Sequence, residues 1–258
     1  MIKVILWDID GTLLNFKIAE KVAFFDCCND LGIQNATEEM LGRYSAINHI
    51  YWQKLERNEI TKKEVLEGRF IEFFTKEMDL VKEKKSTLLL PQNGKTIEEI
   101  AVAFNAEYQK KLGDTSVYNP YGKEIIEACR GNYKQYIVTN GTSTAQHRKL
   151  KNSGLEHMVD GWFISDEIGI EKPNIGFFDA VWANIGHYER DEVLIVGDSL
   201  TSDIRGGNNA GILTCWYNPD GLPNVQKEHV DYEITNLKEV EGILEKRSIY
   251  NKKITVRQ

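Results

Sequence analysis

The chain has 258 residues and a mass of 29.6 kDa, and its 32 Lys and Arg against 39 Asp and Glu give a net charge of −7. That length suits one large domain or a core with an inserted domain, and the acidic balance excludes a bulk attraction for a nucleic acid polymer. Because the N-terminus lacks a secretory signal and no apolar run is long enough to span a membrane, we expect a cytoplasmic protein, as a monomer or homodimer.

The first predicted element is a strand that ends in two carboxylates. Six of the eight residues from Ile2 to Ile9 are apolar or aromatic without clean alternation, which is typical of a parallel strand covered on both faces. Asp8 and Asp10 stand at its carboxyl end, and Gly11 lets the chain turn away sharply. Since buried charge must be paired or bound to a metal, the pair indicates a ligand site; the alternative is an ordinary polar turn.

The next part of the chain loses strand signals and shows helical periodicity. Thr61 with Glu64, and Thr96 with Glu99, each fit a capping box that predicts a helix start. The charged and then Leu-rich segment from Asp79 to Lys95 is predicted to be a loop. The four predicted helices are Ile18 to Leu31, Glu38 to Glu56, Thr61 to Met78 and Thr96 to Leu112.

Beyond Gly113, strands and helices alternate, which predicts a parallel, doubly wound sheet with right-handed crossovers. The predicted strands are Tyr136 to Thr139, Trp162 to Ser165, Val193 to Val196 and Leu213 to Tyr217. The predicted helices are Tyr121 to Gly131, Thr144 to Ser153 and Asn174 to Ile185.

These elements predict an α/β core interrupted by an all-helical domain. We assign residues 1–15 and 114–247 to the core, 16–113 to the helical cap, and 248–258 to a basic C-terminal tail. The cap is inserted directly after the first strand, so we expect it to close over the active edge and exclude water.

Polar side chains also follow three later strands. Thr139 and Asn140 end one strand, Lys172 lies in a loop after the next, and Asp198 ends a third, with Asp203 five residues on. Because the carboxyl ends of parallel strands share one edge, we expect these groups to meet the first two carboxylates. Carboxylate oxygens suit Mg²⁺, and a lysine suits a phosphate, so the set implies phosphoryl transfer. Taken singly, each residue also fits a plain turn, or for Asp198 a helix N-cap.

Four short motifs therefore stand in order along the chain. They are Asp8-Ile9-Asp10-Gly11-Thr12, Thr139-Asn140-Gly141, Lys172-Pro173 and Gly197-Asp198-Ser199-Leu200-Thr201-Ser202-Asp203. Together they resemble the motifs of the haloacid dehalogenase-like (HAD-like) hydrolases, which implies a HAD-like Rossmannoid core. Within that family, segments 137–141, 167–179 and 197–221 are similar to the YjjG/YfnB branch of pyrimidine 5′-nucleotidases.

The resemblance implies a covalent mechanism with two aspartates. Asp8 is the expected nucleophile, which becomes an aspartyl phosphate. Asp10 is the expected acid and base, which protonates the leaving alcohol and then takes a proton from water. An aspartate at this second position distinguishes phosphatases from the dehalogenases of the family, so an active phosphomonoester hydrolase is favoured.

The resemblance also implies the residues that hold Mg²⁺ and the phosphoryl group. The expected metal residues are Asp8, the backbone carbonyl of Asp10, Asp198 and, behind them, Asp203. The expected phosphoryl-binding groups are Thr139, Lys172 and the backbone amides around Ile9-Asp10 and at Asn140.

Aromatic residues of the cap are candidates for stacking on a nucleobase. We expect at least one of Phe16, Tyr44 and Trp52 to line the substrate pocket; the alternative is that these rings pack between helices. The resemblance thus implies an Mg²⁺-dependent phosphatase that acts on nucleoside monophosphates, most of all the pyrimidine ones. A phosphatase for sugar phosphates and a catalytically idle phosphate-binding regulator are the alternatives.

Overall fold

The computed structural model describes residues 1–186 and 188–246, so the predicted tail, 248–258, lies outside the described residues. The chain forms two compact units. One comprises Met1–Phe16 and the chain from Ser116 onward, and the other comprises Lys17–Thr115. Within the described ranges, no helix combines the length and the apolar character needed to cross a membrane.

The first unit is built on a parallel six-stranded sheet in the order β3-β2-β1-β4-β5-β6, which confirms the predicted fold class. Its strands are β1 (Val4–Trp7), β2 (Lys134–Thr139), β3 (Gly161–Ile164), β4 (Val193–Gly197), β5 (Leu213–Tyr217) and β6 (Tyr232–Ile234). Strand β6 was not predicted from the sequence, because its three residues are too few for a periodicity signal.

The helices are α1 (Phe16–Asp30), α2 (Glu38–Glu56), α3 (Lys62–Lys82), α4 (Ile97–Asp114), α5 (Gly122–Cys129), α6 (Ser143–Ser153), α7 (Ser165–Ile168), α8 (Ile175–Ile185) and α9 (Arg205–Ala210). Residues 239–246 are also helical. The capping boxes at Thr61 and Thr96 are confirmed. The loop predicted from Asp79 begins later, because the last four residues of α3, 79–82, include no Gly or Pro and the helix continues to Lys82.

Helices cover both faces of the sheet. On one face Ile5 and Trp7 pack with residues of α5, α6 and the helical segment 239–246. On the other face Val4 and Leu6 pack with residues of α8 and α9. All four residues of β1 are fully buried, so the residues that follow this strand leave a dry layer at the sheet's carboxyl edge.

The second unit is all-helical and has an aromatic interior. Tyr44 is fully buried there, with its ring stacked on Phe70 at a centroid distance of 4.8 Å and on Phe24 at 5.6 Å. Beneath these rings, buried Arg69 of α3 donates hydrogen bonds to Asn48 of α2 at 2.6 Å and Asn105 of α4 at 3.2 Å. The interior therefore combines ring packing with a polar link between three helices.

Candidate active site

The centre of the site is the Lys172 ammonium, which forms ion pairs with Asp8 and Asp203. Lys172, in the loop before α8, is 1% exposed, and its Nζ lies 2.9 Å from Asp8 Oδ1 and 2.6 Å from Asp203 Oδ1. A third hydrogen bond, 2.8 Å long, runs from Nζ to the carbonyl of Val138 in β2. The three bonds satisfy all three donors of the ammonium, which is what allows this charge to be buried.

Three carboxylates crowd together at this edge. Asp8, Asp198 and Asp203 each offer an oxygen atom within 4.8 Å of those of the other two, and Asp198 keeps contact with solvent. Two glycines make room for them: a Cβ on Gly11 would lie 2.5 Å from Asp198 Oδ2, and one on Gly197 would lie 2.2 Å from Asp203 Cγ. The close approach of backbone to carboxylate explains the glycines of both motifs.

The crowding disturbs the ionisation of the site. Burial raises the pKa of Asp8 to about 7; the charges of Asp203 and Asp10 act in the same direction, and Lys172 opposes them. The pKa of Asp198 is raised well above its usual range, because its carboxylate loses hydration on the side that faces the cluster, and Asp8 and Asp203 repel its charge. Burial lowers the pKa of Lys172, but the charges of Asp203 and Asp8 outweigh it and hold this pKa above its usual value.

This donor set fits a magnesium ion. Three carboxylates face one buried ammonium, so the cluster carries excess negative charge that a divalent cation would offset. Carboxylate oxygens are hard ligands of the kind that Mg²⁺ prefers. Hydrogen bonds fix the Asp198 segment, since Thr12 Oγ1 donates to Asp198 Oδ1 at 3.3 Å and Trp216 Nε1 donates to its backbone carbonyl at 2.9 Å.

Asn140 and Thr139 lie at the end of β2, beside this cluster. The Asn140 side chain donates to the Lys172 carbonyl at 2.9 Å and to Ser202 Oγ at 3.2 Å, and it accepts from the Lys172 amide at 2.8 Å. Thr139 is 2% exposed, and its hydroxyl accepts a hydrogen bond from the amide of Gly141 at 3.2 Å. The side chain of Asn140 therefore links the end of β2 to the loops that contain Lys172 and Ser202. Its backbone amide remains the group predicted to face a phosphoryl oxygen.

Asp10 is held by two residues of α6 that sequence reasoning missed. Gln146 Nε2 donates to Asp10 Oδ2 at 2.7 Å, and the Lys149 ammonium contacts Asp10 Oδ1. Gln146 and Lys149 lie three residues apart on the helix that directly follows the second motif, so one helix face carries both contacts. The side chain of Asp10 is not among the three carboxylates grouped around the candidate metal position.

The three aromatic candidates are placed differently. Phe16 is half-buried, and the Lys149 Nζ lies 5.7 Å from its ring centroid, close to Asp10. Trp52 is half-buried on α2. Tyr44 was a wrong choice for substrate contact, because its fully buried ring belongs to the aromatic interior of the helical unit.

Sequence comparison identifies the family and finds relatives that cover most of the chain. The family model for haloacid dehalogenase-like hydrolases matches residues 2–211. The HAD-hydrolase YfnB of Bacillus subtilis is 33% identical over 242 residues, 94% of this chain and 95% of YfnB. The pyrimidine 5′-nucleotidase PynA of Streptococcus pneumoniae is 30% identical over 95% of both chains. The pyrimidine 5′-nucleotidase YjjG of Escherichia coli is 31% identical over 81% of this chain and 84% of YjjG.

Structural comparison leads to the same protein from Bacillus subtilis. The crystal structure of YfnB bound to magnesium matches with a TM-score of 0.81 and 31% identity, over 94% of this chain and 98% of that one. The similarity extends through both units of the chain, since it covers nearly all of its residues.

Proposed function

The chain belongs to the haloacid dehalogenase-like hydrolases, and we propose that it is an Mg²⁺-dependent phosphatase that cleaves nucleoside monophosphates, pyrimidine ones in particular. The observation that carries this proposal is the cluster of Asp8, Lys172, Asp198 and Asp203, which combines a carboxylate nucleophile, a buried cation and hard oxygen ligands. Phosphoryl transfer requires mainly positioning and charge neutralisation, and these groups supply both.

In the first half-reaction, an oxygen of Asp8 attacks phosphorus and forms an aspartyl phosphate. The bond from phosphorus to the ester oxygen breaks, and its electron pair leaves with that oxygen. Asp10, two residues away on the same loop, donates the proton that turns the leaving oxygen into an alcohol.

In the second half-reaction, water attacks the phosphorus of the aspartyl phosphate. Asp10, now a carboxylate, takes the proton of this water, and the bond from phosphorus to Asp8 breaks. Its electron pair returns to Asp8, so both aspartates recover their starting forms and inorganic phosphate leaves.

Two sets of residues hold the reacting groups. Asp8, Asp198 and the Asp10 carbonyl would hold Mg²⁺, with Asp203 behind them, and the bound ion would neutralise charge on the phosphoryl oxygens. Lys172 adds a second, fixed positive charge beside Asp8, and the hydroxyl of Thr139 and the amide of Asn140 add hydrogen-bond donors.

The substrate class is supported by the relatives. PynA and YjjG, which bear the name pyrimidine 5′-nucleotidase, are 30% and 31% identical to this chain over most of its length. Phe16 lies beside Lys149, which in turn contacts Asp10, and we propose that Phe16 contacts the nucleoside.

A phosphatase screen tests this function. The purified protein is assayed for phosphate release from UMP, CMP, AMP, glucose 6-phosphate and flavin mononucleotide, in Mg²⁺ and in EDTA. We expect the highest kcat/KM on UMP or CMP, activity only with Mg²⁺, and none in Asp8→Asn, because uncatalysed phosphomonoester hydrolysis is extremely slow. A preference for glucose 6-phosphate would favour the sugar-phosphate alternative, and inactivity on every ester would favour the idle phosphate-binding protein.

A further inference from the structure

Two buried side chains of α6 contact the carboxylate of Asp10. Gln146 binds one carboxylate oxygen and Lys149 the other, and these residues are 1% and 0% exposed. Burying a lysine ammonium is costly unless an anion compensates it, and Asp10 is the carboxylate that Lys149 contacts. The lysine is therefore placed for this contact.

The chain makes room for the glutamine in particular. A Cβ on Gly141 would lie 2.0 Å from Gln146 Nε2 and 2.6 Å from its Cδ, both far inside contact distance. Because Gln146 is enclosed by protein, its amide has little space in which to yield. The glycine that closes the Thr139-Asn140-Gly141 motif thus leaves space for a residue five positions later, which in turn binds Asp10.

Two donors on one carboxylate restrict both its position and its rotation. Lys149 and Gln146 lie three residues apart on one face of α6, so a single rigid helix carries both contacts. Proton transfer requires the carboxylate within hydrogen-bond reach of the ester oxygen and then of water. Errors of about 1 Å in such placement can cost about 100-fold in rate.

We propose that Gln146 and Lys149 are positioning residues, which hold the Asp10 carboxylate in place for both proton transfers. This inference rests on the proposed function, because it acts through Asp10. It gives α6, the helix that directly follows the second motif, a role at the site, and it gives Gly141 a part in the same arrangement.

The test compares two esters in Mg²⁺ for wild type, Lys149→Met, Gln146→Leu and Gly141→Ala. With UMP, the leaving alkoxide needs a proton; with p-nitrophenyl phosphate, the phenolate leaves without one, and only the second half-reaction needs Asp10. We expect each variant to lose roughly 10-fold or more in kcat on UMP, with KM within about threefold of wild type. On p-nitrophenyl phosphate we expect a burst of about one equivalent of nitrophenolate, followed by slow turnover.

Lys151→Met is the matched control, since Lys151 is exposed on the same helix, and it should behave as wild type on both esters. The inference is overturned by a kcat within about twofold of wild type in all three variants, or by equal losses on both esters without a burst. Gly141→Ala keeps the test valid if a charge-removing variant fails to fold, because it removes no polar group. Wild-type protein inactive on both esters would refute the proposed function itself.

Discussion

The side-chain amide of Asn140 and the backbone of Lys172 exchange two hydrogen bonds, 2.9 and 2.8 Å long. This reciprocal pair ties the loop after β2 to the loop that carries the buried ammonium. The ammonium reaches Asp8 and Asp203 from a backbone that another strand's loop holds in place. The position of the Lys172 ammonium therefore depends on the loop after β2 as well as on its own loop.

Asn140→Ala should lower kcat by roughly 10- to 100-fold, because the Lys172 ammonium loses its fixed backbone. The lost hydrogen bonds should also reduce the free energy of unfolding by about 1–3 kcal/mol. Steady-state kinetics and urea unfolding measure the two effects. Asn184→Ala, which removes an exposed bond within α8, is the control; equal kcat in the two variants would contradict the role given to Asn140.

The metal-free protein should become less stable as pH rises from about 4 to about 7. Asp8 and Asp198 have folded-state pKa values above their ordinary ones, so the folded state holds their protons more tightly than the unfolded state does. Stability from these groups is therefore greatest at low pH and is lost as they ionise. Thermal unfolding in EDTA across this range measures the trend.

Asp198→Asn removes one of the three clustered carboxylates, and its thermal unfolding is compared with that of wild type. In EDTA at pH 8 we expect a higher Tm than wild type, and on adding Mg²⁺ a smaller rise in Tm, because a ligand oxygen has lost its charge. A variant that is less stable than wild type in EDTA, yet equally stabilised by Mg²⁺, would count against the site.

Gly11→Ala should raise the Mg²⁺ concentration needed for half-maximal activity by about tenfold or more, because the new Cβ would displace the Asp198 carboxylate. Gly131→Ala is a matched control: Gly131 also has a positive φ, of 79°, but has open space around its Cβ position. Both variants carry backbone strain, and only Gly11→Ala should change the Mg²⁺ titration. The same shift in both would point to strain alone.

Tyr44→Phe should leave KM for UMP unchanged within about twofold, since the ring contributes to the core of the helical unit. Tyr44→Ala should instead lower the free energy of unfolding by about 3–5 kcal/mol. Kinetics of the first variant and urea unfolding of the second check these outcomes. A large rise in KM for Tyr44→Phe would restore this residue as a substrate contact.

The positions of the residues at the strand ends could be predicted from the sequence, because the topology of the sheet determines them. A residue that directly follows a buried parallel strand must lie at the sheet's carboxyl edge, whatever its neighbours are. Asp8 and Asp198 follow such strands, β1 and β4, and the structure brings them together with Asp203.

Directions of side chains within helices were harder to predict. The sequence of α6 is polar almost throughout, so nothing in its periodicity separates the buried Gln146 and Lys149 from the exposed Lys151. In the helical unit, aromatic composition predicted a ring near the substrate but gave no direction for Tyr44. Both cases depend on tertiary packing, which one helix alone does not encode.

The central position of β1 also bears on how the enzyme is made. Val4 pairs with Lys134 of β2 on one side and with Val193 of β4 on the other. Strand β1 therefore pairs only after residues far along the chain have been translated. Until β4 has left the ribosome, β1 has an open edge and Asp8 lacks Asp198 and Asp203 as neighbours. Translation must therefore pass Asp203 before the carboxylate cluster can form.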